Sequence, residues 1–574
     1  MTILETFARR GVPLVLIGCA LATLPAHAVA IRTVALTDTD GVFGPGAGAG
    51  VEFSSFDSPA IDSAGMVIID ANGAGANGFF VNDGSANSAV ALPGTDGPLG
   101  PGAGPGVEFL GLGGANSSTF WVLRNDAGQI AHGASLTGGG ATTANRDVLV
   151  VTGDTTGSTI IARTDDGTPG PSLGAGVQFS SLESRPPAAM NDSGALVFRA
   201  RLEQDVLAGV DGNNDSGVWT TIGGTLAAIA REGDLGALGP GLGGDIVFDQ
   251  FPTGSAPNVL LNDADEILLL ARLRGTGVNA ANNDALFAYA PGGAPVLVAR
   301  DGDVFGSAGV VETLSSNFGF NDSGEIAVRI VGSIEDGIFR TTVGGTPVAL
   351  ALEGTDGELG PNLGAGIEFG ILGTAMMTMN GVGAVVFEAQ ATGPGFATKS
   401  GLWSTMSGSP HVIVLSGVDD ARGPGLGAGI SFFPNSFDDL HLNANGDAAF
   451  LAQVDGGSYS QTRGIFAAAG GSVLPIAVVG ELFDVDPGPG LDLREIGDVA
   501  LPRPNHGFSG GEDGRTRLLN DAGELAFQLF FEDGTQGVFV ATVPEPATAS
   551  GLATGIALLA AARRRRGARL SRSA

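Results

Sequence analysis

Short runs of alternating apolar and polar residues, bounded by Gly, Pro, Asn or Asp, fill the chain from Ile31 to Thr542. Such alternation turns one side of a run to a core and the other to solvent, which predicts half-buried β-strands rather than helices. One run recurs with its turn attached. Asn520-Asp521-Ala522-Gly523-Glu524-Leu525-Ala526-Phe527 has relatives starting at Asp62, Asn125, Asn191, Asn262, Asn321, Asn380 and Asn443, and successive copies are 63, 66, 71, 59, 59, 63 and 77 residues apart. Asn and Asp side chains close Asx-turns and Gly supplies positive φ, so the motif predicts a turn that launches a strand. Two copies drift, with Asp62 in place of Asn and Asp265 in place of Gly.

Further along each unit comes a Gly-x-aromatic strand, as in Gly217-Val218-Trp219, Gly337-Ile338-Phe339, Gly401-Leu402-Trp403 and Gly537-Val538-Phe539. Phe287 fills that place in the fourth unit and Leu149 in the second. An apolar strand ending in an acidic turn follows, such as Leu226 to Glu232, and then a Gly/Pro-rich loop leads to Val51-Glu52-Phe53 or its relatives. Four short strands per unit, repeated eight times, predict an all-β fold, a closed β-propeller of about eight four-stranded repeats. A seven-bladed propeller and a β-solenoid are the alternatives. Closure favours the ring: the last unit stops after Gly537 to Thr542 without its final apolar strand, and Ile31 to Leu36 supplies that element.

Composition narrows the class. Gly (96) and Pro (30) are too frequent among 574 residues for a compact helical enzyme, since each Gly inside a helix costs about 1 kcal/mol. The 43% hydrophobic content is too high for a disordered chain. Net charge is −32, and six Arg sit in the last twelve residues, so the body is more acidic still. Such a body repels phosphate backbones, which excludes nucleic acid as a partner. The single cysteine, Cys19, leaves the body without disulfides or thiolate chemistry.

The two ends read as addresses. Residues 1–28 have the form of a signal peptide, with Arg9 and Arg10, an apolar core from Val12 to Leu24, and cleavage after Ala26-His27-Ala28. Leu16-Ile17-Gly18-Cys19 offers a lipoprotein box as the alternative. The repeat domain then spans 29–543. Residues 544–574 comprise Pro544-Glu545-Pro546, a transmembrane helix over 547–562, and Arg563, Arg564, Arg565 and Arg566 as a cytoplasmic anchor. This tripartite tail resembles the PEP-CTERM sorting signal of Gram-negative bacteria. The resemblance implies export through the secretion machinery, transient anchoring in the inner membrane, processing by an exosortase, and delivery to the outer surface or extracellular matrix beside exopolysaccharide. The body resembles the tandem-repeat family named for its Asn-x-x-Gly-x-x-Ala-Phe motif, which implies no particular activity.

Candidate chemistry is sparse. His132, His411, His441 and His506 lack metal-site spacing, and the Gly-Pro-Gly loops have neither Lys nor a following helix. Trp219 and Trp403 stand where other units have Phe, which points to packing between blades. Carboxylates are more suggestive, because Asp40, Asp96, Asp166, Asp234, Asp303, Asp356, Asp420 and Asp484 recur at one turn and would share a face of the ring. They are turn formers or Ca²⁺ ligands, with Asp234 and Asp303 as metal candidates. Asp211, Asn213 and Asp215 form a second calcium-like patch. No catalytic set is legible. The expected role is structural, adhesive or glycan/protein-binding, with an exopolysaccharide or surface protein as partner. A carbohydrate-active hydrolase or lyase, using the eighth unit's insertion from Asp484 to Arg517, is the alternative.

Overall fold

The computed structural model describes residues 29–46, 50–57, 59–73, 77–112, 122–153, 157–165, 168–182, 188–252, 259–486, 491–501 and 512–543. The cleavage and sorting motifs, Asp166 and His506 fall outside these residues. Eight antiparallel sheets follow one another as the blades of a propeller. Blade 5 is the simplest, pairing Val311–Phe320, Glu325–Gly332, Gly337–Thr342 and Val348–Leu352 in sequence order. The first strands of neighbouring blades approach one another around the axis. Several of these first strands are broken in two, as in blade 2, where Val107–Leu112 and Val122–Arg124 both pair with Gln129–Gly138.

Blade 8 closes the ring. Leu493–Ala500, Glu524–Phe531 and Gln536–Thr542 come from the end of the domain, and Ala30–Leu36 completes them in antiparallel register, Ala30 opposite Thr542 and Leu36 opposite Gly537. Val34, Ala35 and Leu36 are buried, so the clasp is part of the core. The expected missing strand is therefore supplied from the start of the domain.

The repeated aromatics explain how blades pack. In blades 3, 6 and 7 the Phe of the first strand meets the aromatic of the third edge to face, with ring centroids 5.0 Å apart for Phe179 and Trp219, 5.2 Å for Phe369 and Trp403, and 4.9 Å for Phe432 and Phe466. That arrangement suits the ring quadrupoles. The preceding Gly makes room for it, since a Cβ on Gly537 would lie 2.5 Å from the Phe539 ring. Trp219 and Trp403 are fully buried, and their indole N–H groups donate to the Pro171 and Pro361 carbonyls, which pins two Gly/Pro loops to the core.

The Asn motif does more than turn the chain. Asn321 Oδ1 accepts the Glu325 amide of its own turn at 3.0 Å, while its Nδ2 donates to the Asn380 carbonyl of the next blade at 3.4 Å. The same inter-blade bond runs from Asn125 to Asn191, Asn191 to Asn262, Asn262 to Asn321, Asn380 to Asn443, Asn443 to Asn520 and Asn520 to Asp62. All seven Asn are buried, where each bond contributes about 1 kcal/mol and would cost more to leave unmade. Asp62 has no side-chain N–H to pass on. Instead its carboxylate accepts Arg124 Nη2 at 2.8 Å, and this buried ion pair bridges the interval between blades 1 and 2. The turn Gly is needed twice over at Gly383, where φ is +76° and a Cβ would lie 2.1 Å from the Glu325 carboxylate of the preceding blade. Asp265 adopts the same left-handed conformation at φ 61°, and its carboxylate accepts Asn191 Nδ2.

Candidate functional site

Strand directions place all the Asn turns on one face of the ring and the Gly/Pro loops on the other. On the Asn face a second, partial circle follows from the residue after the Asn, broken where Ser63, Gly381 and Ala444 stand in place of Asp in blades 1, 6 and 7. Asp126 accepts the Ser63 amide, Asp192 that of Asp126, Asp263 that of Asp192, Asp322 that of Asp263, and Asp521 that of Ala444, all at 2.7 to 2.9 Å. These carboxylates surround the mouth of the axial channel.

A segment of blade 8 enters that mouth. The Asp513 carbonyl accepts the Leu261 amide of blade 4, the Gly514 carbonyl that of Met190 in blade 3, Thr516 Oγ1 that of Arg124 in blade 2, and the Arg517 carbonyl that of Ile61 in blade 1. On the far side Glu512 lies against Gly381 of blade 6 and hydrogen-bonds Asp322 of blade 5. The eighth unit's insertion thus leads into the axis. Its charges are largely matched: Arg515 Nε donates to Asp513 Oδ2 at 2.9 Å in a buried pair, and Arg517 reaches Asp126 at 2.9 Å and Asp521 at 3.7 Å.

Crowding shifts the titrations. Glu512 is pushed up to about 7, first by desolvation and then by the negative charges of Asp322 and Asp521, against the opposing pull of Arg517. Asp192, Asp263 and Asp322 are also raised, with desolvation as the leading cause. His441, on the first strand of blade 7, is lowered to about 3 by burial and by the Arg515 charge, so it is neutral near pH 7. Glu512 shares a hydrogen bond with Asp322, which its raised titration allows because a protonated carboxyl can donate.

The sequence-derived candidates lie elsewhere, in loops on the opposite face. Asp211 Oδ1 accepts the Asn213 amide at 2.8 Å and its Nδ2 at 3.3 Å in an exposed turn. Asp215 is buried and accepts Gln204 Nε2 at 2.7 Å. Asp234 accepts the Gly236 amide at 2.6 Å, and the exposed Asp303 donates its own amide to the Arg300 carbonyl. Among the described residues, no group of three or more His, Cys, Asp or Glu side chains is placed to hold a metal ion. Asp211, Asn213 and Asp215 lie close together in one loop region, whereas Asp234 and Asp303 belong to separate turns.

The recurring loop Asp has a mechanical job. Asp40, Asp96 and Asp356 each accept the amide of the Gly ten residues later, at 2.7 to 2.9 Å, and so close the Gly/Pro loop. In blade 7 that role belongs to Asp419, which holds the Gly429 amide, and the expected Asp420 pairs with Arg422 instead. His132 is fully buried, 4.7 Å from the Phe79 ring, with Nε2 on Thr152 Oγ1. Sequence reasoning missed the Asn ladder, the Asp circle and the axial destination of Glu512 to Arg517.

No similar protein was found among curated sequences. Among solved structures, prolyl oligopeptidase B from Galerina marginata is similar at 7% identity and a TM-score of 0.31, over 72% of this chain and 55% of its own. An ulvan lyase of polysaccharide lyase family 25 is similar at 9% and 0.28 (86% and 96%), and a glycoside hydrolase of family 43 at 11% and 0.20 (77% and 97%). The chain spans about half the length of the prolyl peptidases it matches. Likenesses this distant say nothing about activity. The model of the family of unknown function DUF7453 matches twice, over residues 35–331 and 247–550, and with nearly the whole ring so covered the chain belongs to that family.

Proposed function

We propose that this protein is an exported, acidic propeller sorted through the PEP-CTERM route to the outer surface or extracellular matrix, with a structural or adhesive role toward a glycan or a surface protein. The observation that carries the reading is the filled axis. The channel mouth, where converging first strands bring side chains from many blades together, is occupied by the chain's own Asp513 to Arg517, bonded to four blades. The carboxylates around it are engaged with neighbouring amides, with Arg517 or with one another. A scaffold built this way offers its rim, loops and inter-blade clefts to partners.

The terminal motifs support the destination. Mass spectrometry of surface or matrix material should find a start near Val29 and an end near Pro544-Glu545-Pro546. Protein retained in the cytoplasm, or extracellular protein still carrying Arg563 to Arg566, would overturn the reading.

A further inference from the structure

A cleft of about 450 Å³ lies between blades 6 and 7, lined both by the turn residues Asn445 to Asp447 and by Arg422 from the Gly/Pro loop that climbs between the blades. That volume falls within the roughly 300–1,000 Å³ of small-molecule sites. Part of its lining is apolar, from Ile413 and Ala468, and one wall is the Gly470-Gly471 turn between the last two strands of blade 7. The polar lining comes from His411, Arg422 and Asp447 together with Ser404, Asn445 and Ser472, and the first three are the titratable groups.

The state of these three groups selects the ligand. Arg422 Nε and Nη2 both donate to Asp420, so its charge is neutralised in place while its other N–H groups stay available to an acceptor. Asp447 is buried and accepts Asn443 Nδ2 at 3.2 Å, which ties it to the Asn ladder. His411 Nδ1 lies 3.1 Å from Ser407 Oγ, and that contact leaves Nε2 as the second polar atom of the ring. A wholly apolar ligand would desolvate His411 and Arg422 without replacing their hydrogen bonds, at a net cost. An anionic ligand would meet an already paired guanidinium on a chain of net charge −32. A neutral sugar satisfies all of these conditions, because its hydroxyls both donate and accept while its C–H face covers apolar side chains.

We propose that the cleft between blades 6 and 7 binds a neutral saccharide of one or two pyranose rings, oriented by His411 and Arg422 against the Gly470-Gly471 turn. The inference rests on the glycan-binding reading above and locates it on the ring. The test is titration calorimetry of the native protein with maltotriose, cellotriose, laminaritriose and, as the charged comparison, tri-galacturonate. At least one neutral trisaccharide should bind. Ser472→Trp, placed on an exposed residue of the cleft wall, should abolish binding, and His411→Ala should weaken it about fivefold, the worth of one hydrogen bond. Both variants should keep the parent melting temperature, and His411→Ala decides the matter if Ser472→Trp does not fold. The proposal falls if no neutral sugar binds at about 10 mM, which is weaker than any useful affinity. It also falls if binding is unchanged in the folded variants, or if tri-galacturonate is preferred. Loss of the cleft would leave the export reading intact, because that is read from the location and termini of the protein.

Discussion

Blade 5 takes its four strands from one continuous stretch, Val311 to Leu352, whereas blade 8 borrows its outermost strand from the opposite end of the domain and sends an insertion into the axis. The first needs only local hairpins, which close quickly and at little entropic cost. The second forms only when residues some 500 positions apart meet, and the price of that loop is paid once for the whole ring. After closure the Asn ladder, the Asp circle and the axial segment link all eight blades. Stability is therefore distributed around the ring, and access to it is controlled at blade 8 and its junction with blade 1.

The sharpest way to break this contrast is to delete Ala30–Leu36. The deletion removes the buried Val34 and Leu36 and bares the edge of Gln536–Thr542. It should cost on the order of 5 kcal/mol from apolar burial alone, and calorimetry should show a lower, broader transition. A melting curve identical to the parent's would mean the clasp does not hold the ring.

Next in size is the junction ion pair. Asp62→Ala leaves Arg124 buried without that carboxylate, a class of change that costs about 3–5 kcal/mol. Asn321→Ala, in the middle of the ladder, removes one turn cap and one inter-blade bond and should cost about 2 kcal/mol. Urea titrations of the two variants test the ranking. Equal losses would show that the junction is no different from the rest of the ladder.

Acidity provides a third comparison. Glu512 at the axis, and Glu232 and Glu388 in blades 3 and 6, are each held at about 7 from an ordinary 4.5, with desolvation leading in all three. Between pH 8 and 6.5 the folded state therefore binds more protons than the unfolded state, and stability should rise as pH falls. His132 and His441, lowered to about 4 and 3 with burial as the leading cause, stay neutral in the folded state over this window. They oppose the trend increasingly below about pH 7.5, where the unfolded histidines begin to charge, but two of them offset only part of the three carboxyls' effect. Glu512→Gln should make the melting temperature clearly less dependent on pH over this range, and an unchanged slope would show that Glu512 does not titrate there.

The smallest effect is expected on the loop face. Asp234→Asn with Asp303→Asn keeps the turn chemistry and removes two charges, so stability should change by less than about 0.5 kcal/mol. Millimolar Ca²⁺ should act no differently from Na⁺ at matched ionic strength. A Ca²⁺-specific rise in melting temperature that the double substitution abolishes would establish these residues as ligands.

Strands, blade number and the closing strand were legible because alternation and turn chemistry are local properties of the chain. The ladder left a trace that went unread. An Asx-turn accepts Asp as readily as Asn, yet seven copies of the motif have Asn and one has Asp62. That bias reflects the donor Nδ2 that each Asn passes to the next blade. Gly537 and its equivalents carried a similar hint, since a strand that repeats Gly two residues before an aromatic is making room for the ring. The insertion before Arg517 was visible as a break in the repeat. Its destination was not, because Met190 and Leu261 lie hundreds of residues away and no local pattern points to them. Asp419 and Asp420 show the limit of counting, for either could close the loop and only the backbone path decides.

The register of the clasp also fixes how the ring responds to force. Ala30 and Thr542 face each other at the same end of an antiparallel pair. A load applied across those two points would fall on one pair of hydrogen bonds at a time and peel the strands apart like a zip, because bonds in such a pair run across the strands. Tension through Thr542 alone passes into the rest of blade 8 and leaves the clasp unloaded. A molecule tethered only at that end would keep its ring shut under drag, and one held by both ends would open at the strand that closed it.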